Sequence, residues 1–98
     1  VEEMLDDKKH ETLLILQEEC SEVIQAISKI FRFGLDNFKP GKPNTNQEHL
    51  ENEIGDLLAL VILLHEQGVL RDDVIEKAIQ AKFEKLKLYS RIYESKTN

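Results

Sequence analysis

At 98 residues the chain has room for one domain, 1–98, with a modest core. Its net charge of −6 excludes a general binder of nucleic acid polymers or of anionic membranes, since both need a dominant basic surface. The lone cysteine, Cys20, excludes an intramolecular disulfide, and with no Cys/His spacing of the zinc-site kind a reducing, cytoplasmic setting is the simplest expectation. High charge with few glycines leans helical. The longest apolar run, Leu57 to Leu64, falls far short of the roughly 20 residues of a membrane span, and the acidic amino end has no signal-peptide pattern.

The breakers divide the chain into three helical segments. The first runs from about Glu3 to Phe33, as one helix or as two joined near Lys9, and Gly34 stops it. Leu35 to Asn44 holds both prolines and reads as a loop longer than the usual connection of about 4 to 6 residues, of a kind that is often functional or mobile. The second segment opens on Thr45-Asn46-Gln47-Glu48, a capping-box pattern, and runs to about Gln67 before Gly68. The third starts near Asp72 or Asp73, with Glu76 as a second capping-box carboxylate, and continues to about Glu94. A chain this short buries more if it pairs with a copy of itself, so the expected fold is all-α: a helical hairpin plus a C-terminal helix, forming a four-helix-bundle-like core completed by oligomerisation.

At about 100° per residue, the apolar face of the first segment comprises Leu13, Leu16, Cys20, Val23, Ile24, Ile27 and Phe31. Glu19 and Glu22 sit at its edge, and Glu18 lies further round. Two like charges one turn apart repel by a few tenths of a kcal/mol. In the second segment Glu53 projects inside the apolar arc of Leu50, Ile54, Leu57, Leu58, Val61 and Leu64, with Asp56 at i+3 and His49 at i−4. A carboxylate there is costly unless protonated, hydrogen-bonded or bound to a cation. If the two helices pack antiparallel, Glu19, Glu22, Glu53 and Asp56 converge on one point, an oxygen-rich site suited to Mg²⁺, with Mn²⁺ as a substitute, whose open positions would take water and phosphate oxygens.

Segment three carries seven basic and five acidic side chains between Arg71 and Asn98. Lys82 falls within its seam of Ile75, Ile79, Leu86, Tyr89 and Tyr93, with Lys85 at the edge, either as a snorkelling side chain or as a phosphate ligand. Tyr89 and Tyr93 read as core or subunit contact. Lys29, Arg32, Lys39 and Lys42 either guide a polyanion or are ordinary surface charges. His49 reads as a polar neighbour on its first turn, and Cys20 as a small core residue. A ferritin-like di-metal site is excluded, because it needs two Glu-x-x-His motifs on separate helices and the chain has none.

Glu18-Glu19-Cys20-Ser21-Glu22, then a loop, then Glu53-Ile54-Gly55-Asp56, has the form E-E-x-x-E followed by E-x-x-D. With "EVIQAISKIFRFG" and "EIGDLLALVILL" around it, this resembles the MazG-like all-α nucleoside triphosphate pyrophosphohydrolases over about residues 10 to 90. The resemblance implies a helical bundle completed as a homodimer or homotetramer, and Mg²⁺-dependent cleavage of a nucleoside triphosphate to the monophosphate and pyrophosphate. It implies Glu19, Glu22, Glu53 and Asp56 as metal ligands, Glu18 as the residue that orients or deprotonates the attacking water, and Lys82 and Lys85, by region, as phosphate contacts. Some relatives carry another acid immediately before E-x-x-D, where this chain has Asn52. Phosphoribosyl-ATP pyrophosphohydrolase shares the fold and the acid pattern and is the nearest alternative. A catalytically silent helical interaction module is the alternative of a different class.

Overall fold

The computed structural model describes residues 5–37 and 41–94, which form three helices and no strand: α1 (Asp7–Phe33), α2 (Asn46–Glu66) and α3 (Asp72–Tyr89). The first helix is continuous past Lys9 and begins at Asp7 rather than near Glu3, because the Asp6 carboxylate accepts the Lys9 N–H at 2.8 Å and caps it. Gly34 ends it at φ +89°, a conformation that favours glycine. The capping box at α2 forms as expected: the Thr45 hydroxyl accepts the Glu48 N–H at 3.2 Å, and the Glu48 carboxylate accepts the Thr45 N–H at 3.0 Å.

The third segment departs from expectation at both ends. Its N-cap is Arg71, with no side-chain hydrogen bond and no second capping box. Asp72 instead turns back to His65, Oδ2 to Nε2 at 3.0 Å. The helix stops at Tyr89, five residues short of Glu94, where the backbone at Ser90 becomes extended and its hydroxyl donates to the Leu86 carbonyl at 2.6 Å.

The packing is dominated by α1 against α2, while α3 makes no more than marginal contact with either. Two polar clasps place the helices antiparallel. At one end Gln67 Nε2 donates to the Thr12 hydroxyl at 3.0 Å. At the other Asn46 Nδ2 donates to the Gly34 carbonyl at 3.0 Å, and the Asn46 and Gln47 N–H groups bond the carbonyls of Asn37 and Leu35. Between the clasps, the least exposed line on α1 is Thr12, Leu16, Glu19, Val23, Ala26 and Ile30, and on α2 it is Asn46, Leu50, Glu53, Leu57, Leu60 and Leu64. Both lines advance by three or four residues at each step, as helix faces do.

This seam is rotated from the apolar face read off the pattern. Leu13, Cys20, Ile24, Ile27 and Phe31 lie roughly a quarter turn away from it, and Ile54 and Leu58 on α2 are displaced to the same side. Cys20 is exposed rather than core, and Phe31 is 85% exposed. Helix α1 carries two apolar stripes, one in the seam and one open, and periodicity alone averages them. No α3 residue is fully buried, and Tyr89 and Tyr93 are exposed rather than core.

The chain therefore leaves unusually much surface in water. Its accessible area is 8496 Å², against about 5,800 Å² for a compact monomer of this mass. The radius of gyration is 17.5 Å, against about 13 Å for a compact domain of this length. Only Ala26 and Leu64 are fully buried hydrophobics among the described residues, so the polar clasps and helix caps carry an unusual share of the single chain's order.

Thr45→Ala is expected to lower stability by about 1 kcal/mol in denaturant unfolding. The Thr45 backbone and hydroxyl hold the Glu48 carboxyl below its ordinary pKa of 4.5. The stabilisation from Glu48 is present above that pH and is lost as pH falls through the lowered value, so the mutant is expected to show a shallower acid loss than wild type.

Candidate metal centre

The α1–α2 seam contains two acids where a soluble helical hairpin would ordinarily place leucines. Glu19 lies on the α1 line and Glu53 on the α2 line, the Glu53 side chain being only 16% exposed. Asp56, one turn on from Glu53, opens toward solvent. One carboxylate oxygen from each of Glu19, Glu53 and Asp56 lies within 4.8 Å of the other two. Antiparallel packing thus brings together three of the four acids singled out in the sequence. Glu22 is exposed and its carboxylate falls outside that group, yet its charge is felt there.

The electrostatics have one sign. Partial desolvation in the seam raises the Glu19 pKa above 4.5, and the charges of Asp56, Glu53, Glu22 and Glu18 raise it further, in that order. Among the described residues, the one basic neighbour paired with the group is His49, whose Nε2 stands 3.3 Å from Glu53 Oε1. Sequence spacing placed His49 one turn from Glu53, but the contact depends on both rotamers and is visible only in three dimensions.

Three carboxylates from two rigid helices, with crowded negative charge and an open side at Asp56, are the donor chemistry that hard divalent cations take. The residues present fit Mg²⁺ or Mn²⁺: all donors are oxygens, and too few to fill a six-coordinate shell, leaving positions for water and phosphate.

The other site residues are distributed differently. Glu18 is exposed on α1, one residue from Glu19. Lys29 is half-buried and lines a cavity with Lys42 and His49. Arg32 does not line that cavity; its guanidinium lies over the Phe33 ring at 5.2 Å. Lys82 and Lys85 ride on α3, which scarcely touches the hairpin, and neither pairs with these acids among the described residues. Lys39 lies outside the described residues.

Fold and acid group together define an all-α protein with an acidic helix–helix seam. A family model, the MazG nucleotide pyrophosphohydrolase domain, matches residues 7–89, and the chain belongs to this family. That span covers all three helices and every acid of the group. No curated protein and no solved structure matches the chain. No helix among the described residues is long and apolar enough to cross a membrane.

A carboxyl with a raised folded pKa loses stability for the protein as pH climbs from its ordinary value through the folded one, because the folded chain holds that proton more tightly than the unfolded chain does. Glu19→Gln removes both the penalty and one of the three grouped carboxylates. In chelator at neutral pH it is expected to raise the Tm above that of wild type, and it is expected to abolish any Tm increase on adding Mg²⁺ or Mn²⁺. Scanning calorimetry with and without metal checks both.

Proposed function

We propose that the protein is a Mg²⁺-dependent nucleoside triphosphate pyrophosphohydrolase that releases a nucleoside monophosphate and pyrophosphate. The observation that carries this reading is the convergence of Glu19, Glu53 and Asp56 across the seam, in a chain of the MazG nucleotide pyrophosphohydrolase family. Glu19, Glu53 and Asp56 would hold the cation, with Mn²⁺ as a substitute, and Glu22 would join them through a rotamer change or a bridging water. When bound, the metal supplies charge neutralisation for a polyanion that an acidic protein otherwise repels.

The chain's own residues then perform the rest. Glu18, exposed beside Glu19, accepts a proton from the attacking water. The water oxygen forms a bond to the α-phosphorus as the bond from that phosphorus to the bridging oxygen breaks. Pyrophosphate leaves with the electron pair. The rigid α1–α2 pairing keeps Glu18 at a fixed offset from the ligands one residue and one turn away, as in-line attack requires.

A homo-oligomer belongs to the same proposal. The surface exposed in excess of a compact monomer is about 2,700 Å² per chain, the scale of an obligate interface. Large apolar side chains exposed on the single chain include Ile24, Ile27 and Phe31 of α1, Ile54 and Leu58 of α2, and Ile79, Phe83, Leu88 and Tyr89 of α3. Such an assembly would also bring α3, with Lys82 and Lys85, against an acid group.

Sedimentation is expected to give a dimer or tetramer mass, and Phe83→Lys to shift it toward monomer. A panel of ribo- and deoxyribonucleoside triphosphates together with phosphoribosyl-ATP, with product identification, is expected to yield pyrophosphate rather than phosphate and to lose all turnover in chelator. Glu53→Gln is expected to abolish turnover, and Glu18→Gln to lower kcat by about 10²–10⁴ with metal affinity retained. Undiminished turnover in Glu53→Gln would sink the site. No metal response and no hydrolysis of any nucleotide would favour a silent helical module.

A further inference from the structure

A cavity of about 440 Å³ opens at the loop end of the hairpin, lined by Lys29, Lys42, Pro43, Asn44, Asn46 and His49. It lies next to the acid group, because His49 belongs to its wall and also reaches Glu53 at 3.3 Å. The cavity has the opposite charge character. Among the described residues, Lys29 and Lys42 are its only formally charged lining residues, and neither is paired with a carboxylate. Two unpaired ammonium groups beside a crowded carboxylate group form a cation-attracting centre with an anion-attracting pocket attached.

Resting on the nucleotide pyrophosphohydrolase reading, we propose that this cavity holds the β- and γ-phosphates of the substrate and then the departing pyrophosphate, while the nucleoside lies on the other side of the acid group. Two considerations favour phosphate over base. Among the described residues the formal charge of the lining is wholly cationic, from Lys29 and Lys42, which suits a polyanion rather than a neutral base, and the His49 imidazole is engaged with Glu53 at 3.3 Å. The N–H groups that open α2 are already taken: Thr45 by Glu48, Asn46 by Asn37, Gln47 by Leu35 and Glu48 by Thr45. With the Asn46 amide also engaged by the Gly34 carbonyl, anion affinity here comes from the two lysines, not from free donors at a helix end. Lastly, hydrolysis at the α-phosphorus places its greatest charge on the leaving group, and a lysine on either side stabilises that charge as it develops.

The placement assigns roles that differ along the substrate. Lys29 is held on the last turns of α1 and half-buried, so it is pre-positioned. Lys42 is exposed on the loop and closes on the phosphates from outside.

The test is calorimetric titration of magnesium pyrophosphate into the full chain, as wild type, Lys29→Ala, Lys42→Ala and, as a control of equal charge change on exposed α1 surface, Lys8→Ala, with circular dichroism to verify folding. Each cavity variant is expected to weaken pyrophosphate binding about tenfold, to raise KM for a nucleoside triphosphate in parallel, and to leave monophosphate binding unchanged, while Lys8→Ala matches wild type. If wild type releases pyrophosphate from triphosphates but both cavity variants bind pyrophosphate as tightly as it does, the cavity assignment is overturned and the proposed activity stands. If monophosphate affinity falls instead, the nucleoside end occupies the cavity and the orientation is overturned. A wild type that hydrolyses no nucleotide overturns the underlying reading, whatever the lysines do.

Discussion

Negative charge crowded into a helix–helix seam is the constraint around which this molecule is arranged. Glu19 and Glu53 occupy positions on their helices that packing alone would give to leucine, and desolvation together with the charges of Asp56 and Glu53 makes Glu19 costlier to ionise. Apolar side chains such as Leu16, Val23, Leu57 and Leu60 flank these acids along the seam, and the helices are clasped at both ends, by Gln67 with Thr12 and by Asn46 with Gly34. Acids at such positions cost stability, a departure from the best-packed sequence of the kind that functional positions commonly show.

The same division governs the two sides of the hairpin. Glu22, Asp56 and His49 fall on one side of the seam by helical angle, and Ile24, Ile27, Ile54 and Leu58 on the other. The polar side carries the acid group and the lysine-lined cavity, close enough to share His49. The apolar side is left open in the single chain, as is most of α3. The hairpin thus carries its acids and the lysine-lined cavity on one face and unburied leucine and isoleucine on the other.

Much of this was legible in the residues. The helices, the loop and the Thr45–Glu48 capping box follow from local rules, because caps and breakers act within a few residues. The acids Glu19, Glu53 and Asp56 stood out since each broke or bordered an apolar arc, and the E-E-x-x-E and E-x-x-D spacings resembled those of the family to which the chain belongs. Less legible was the depth of each residue. Cys20 was read as core and is exposed, and the α1 seam is turned from the expected face, because a helix with two apolar stripes does not declare which one its neighbour takes. Helix α3 ends where the Ser90 backbone turns extended, with the Ser90 N–H and hydroxyl both donating to the Leu86 carbonyl, a local feature that an apolar seam running on to Tyr93 does not reveal.

What the amino-acid sequence determined by itself was the set of helices, the capping box that opens α2 and the acids the helices carry, since propensity, capping and residue spacing are short-range properties of one segment. What only the tertiary structure decided was which of those acids meet. The antiparallel register brings Glu19 to Glu53 and Asp56 and leaves Glu22 at the edge; it sets His49 between the acids and the lysine-lined cavity, and it leaves Lys82 and Lys85 away on α3. Those outcomes depend on rotation and register between helices, which are fixed by packing and end clasps between residues tens of positions apart.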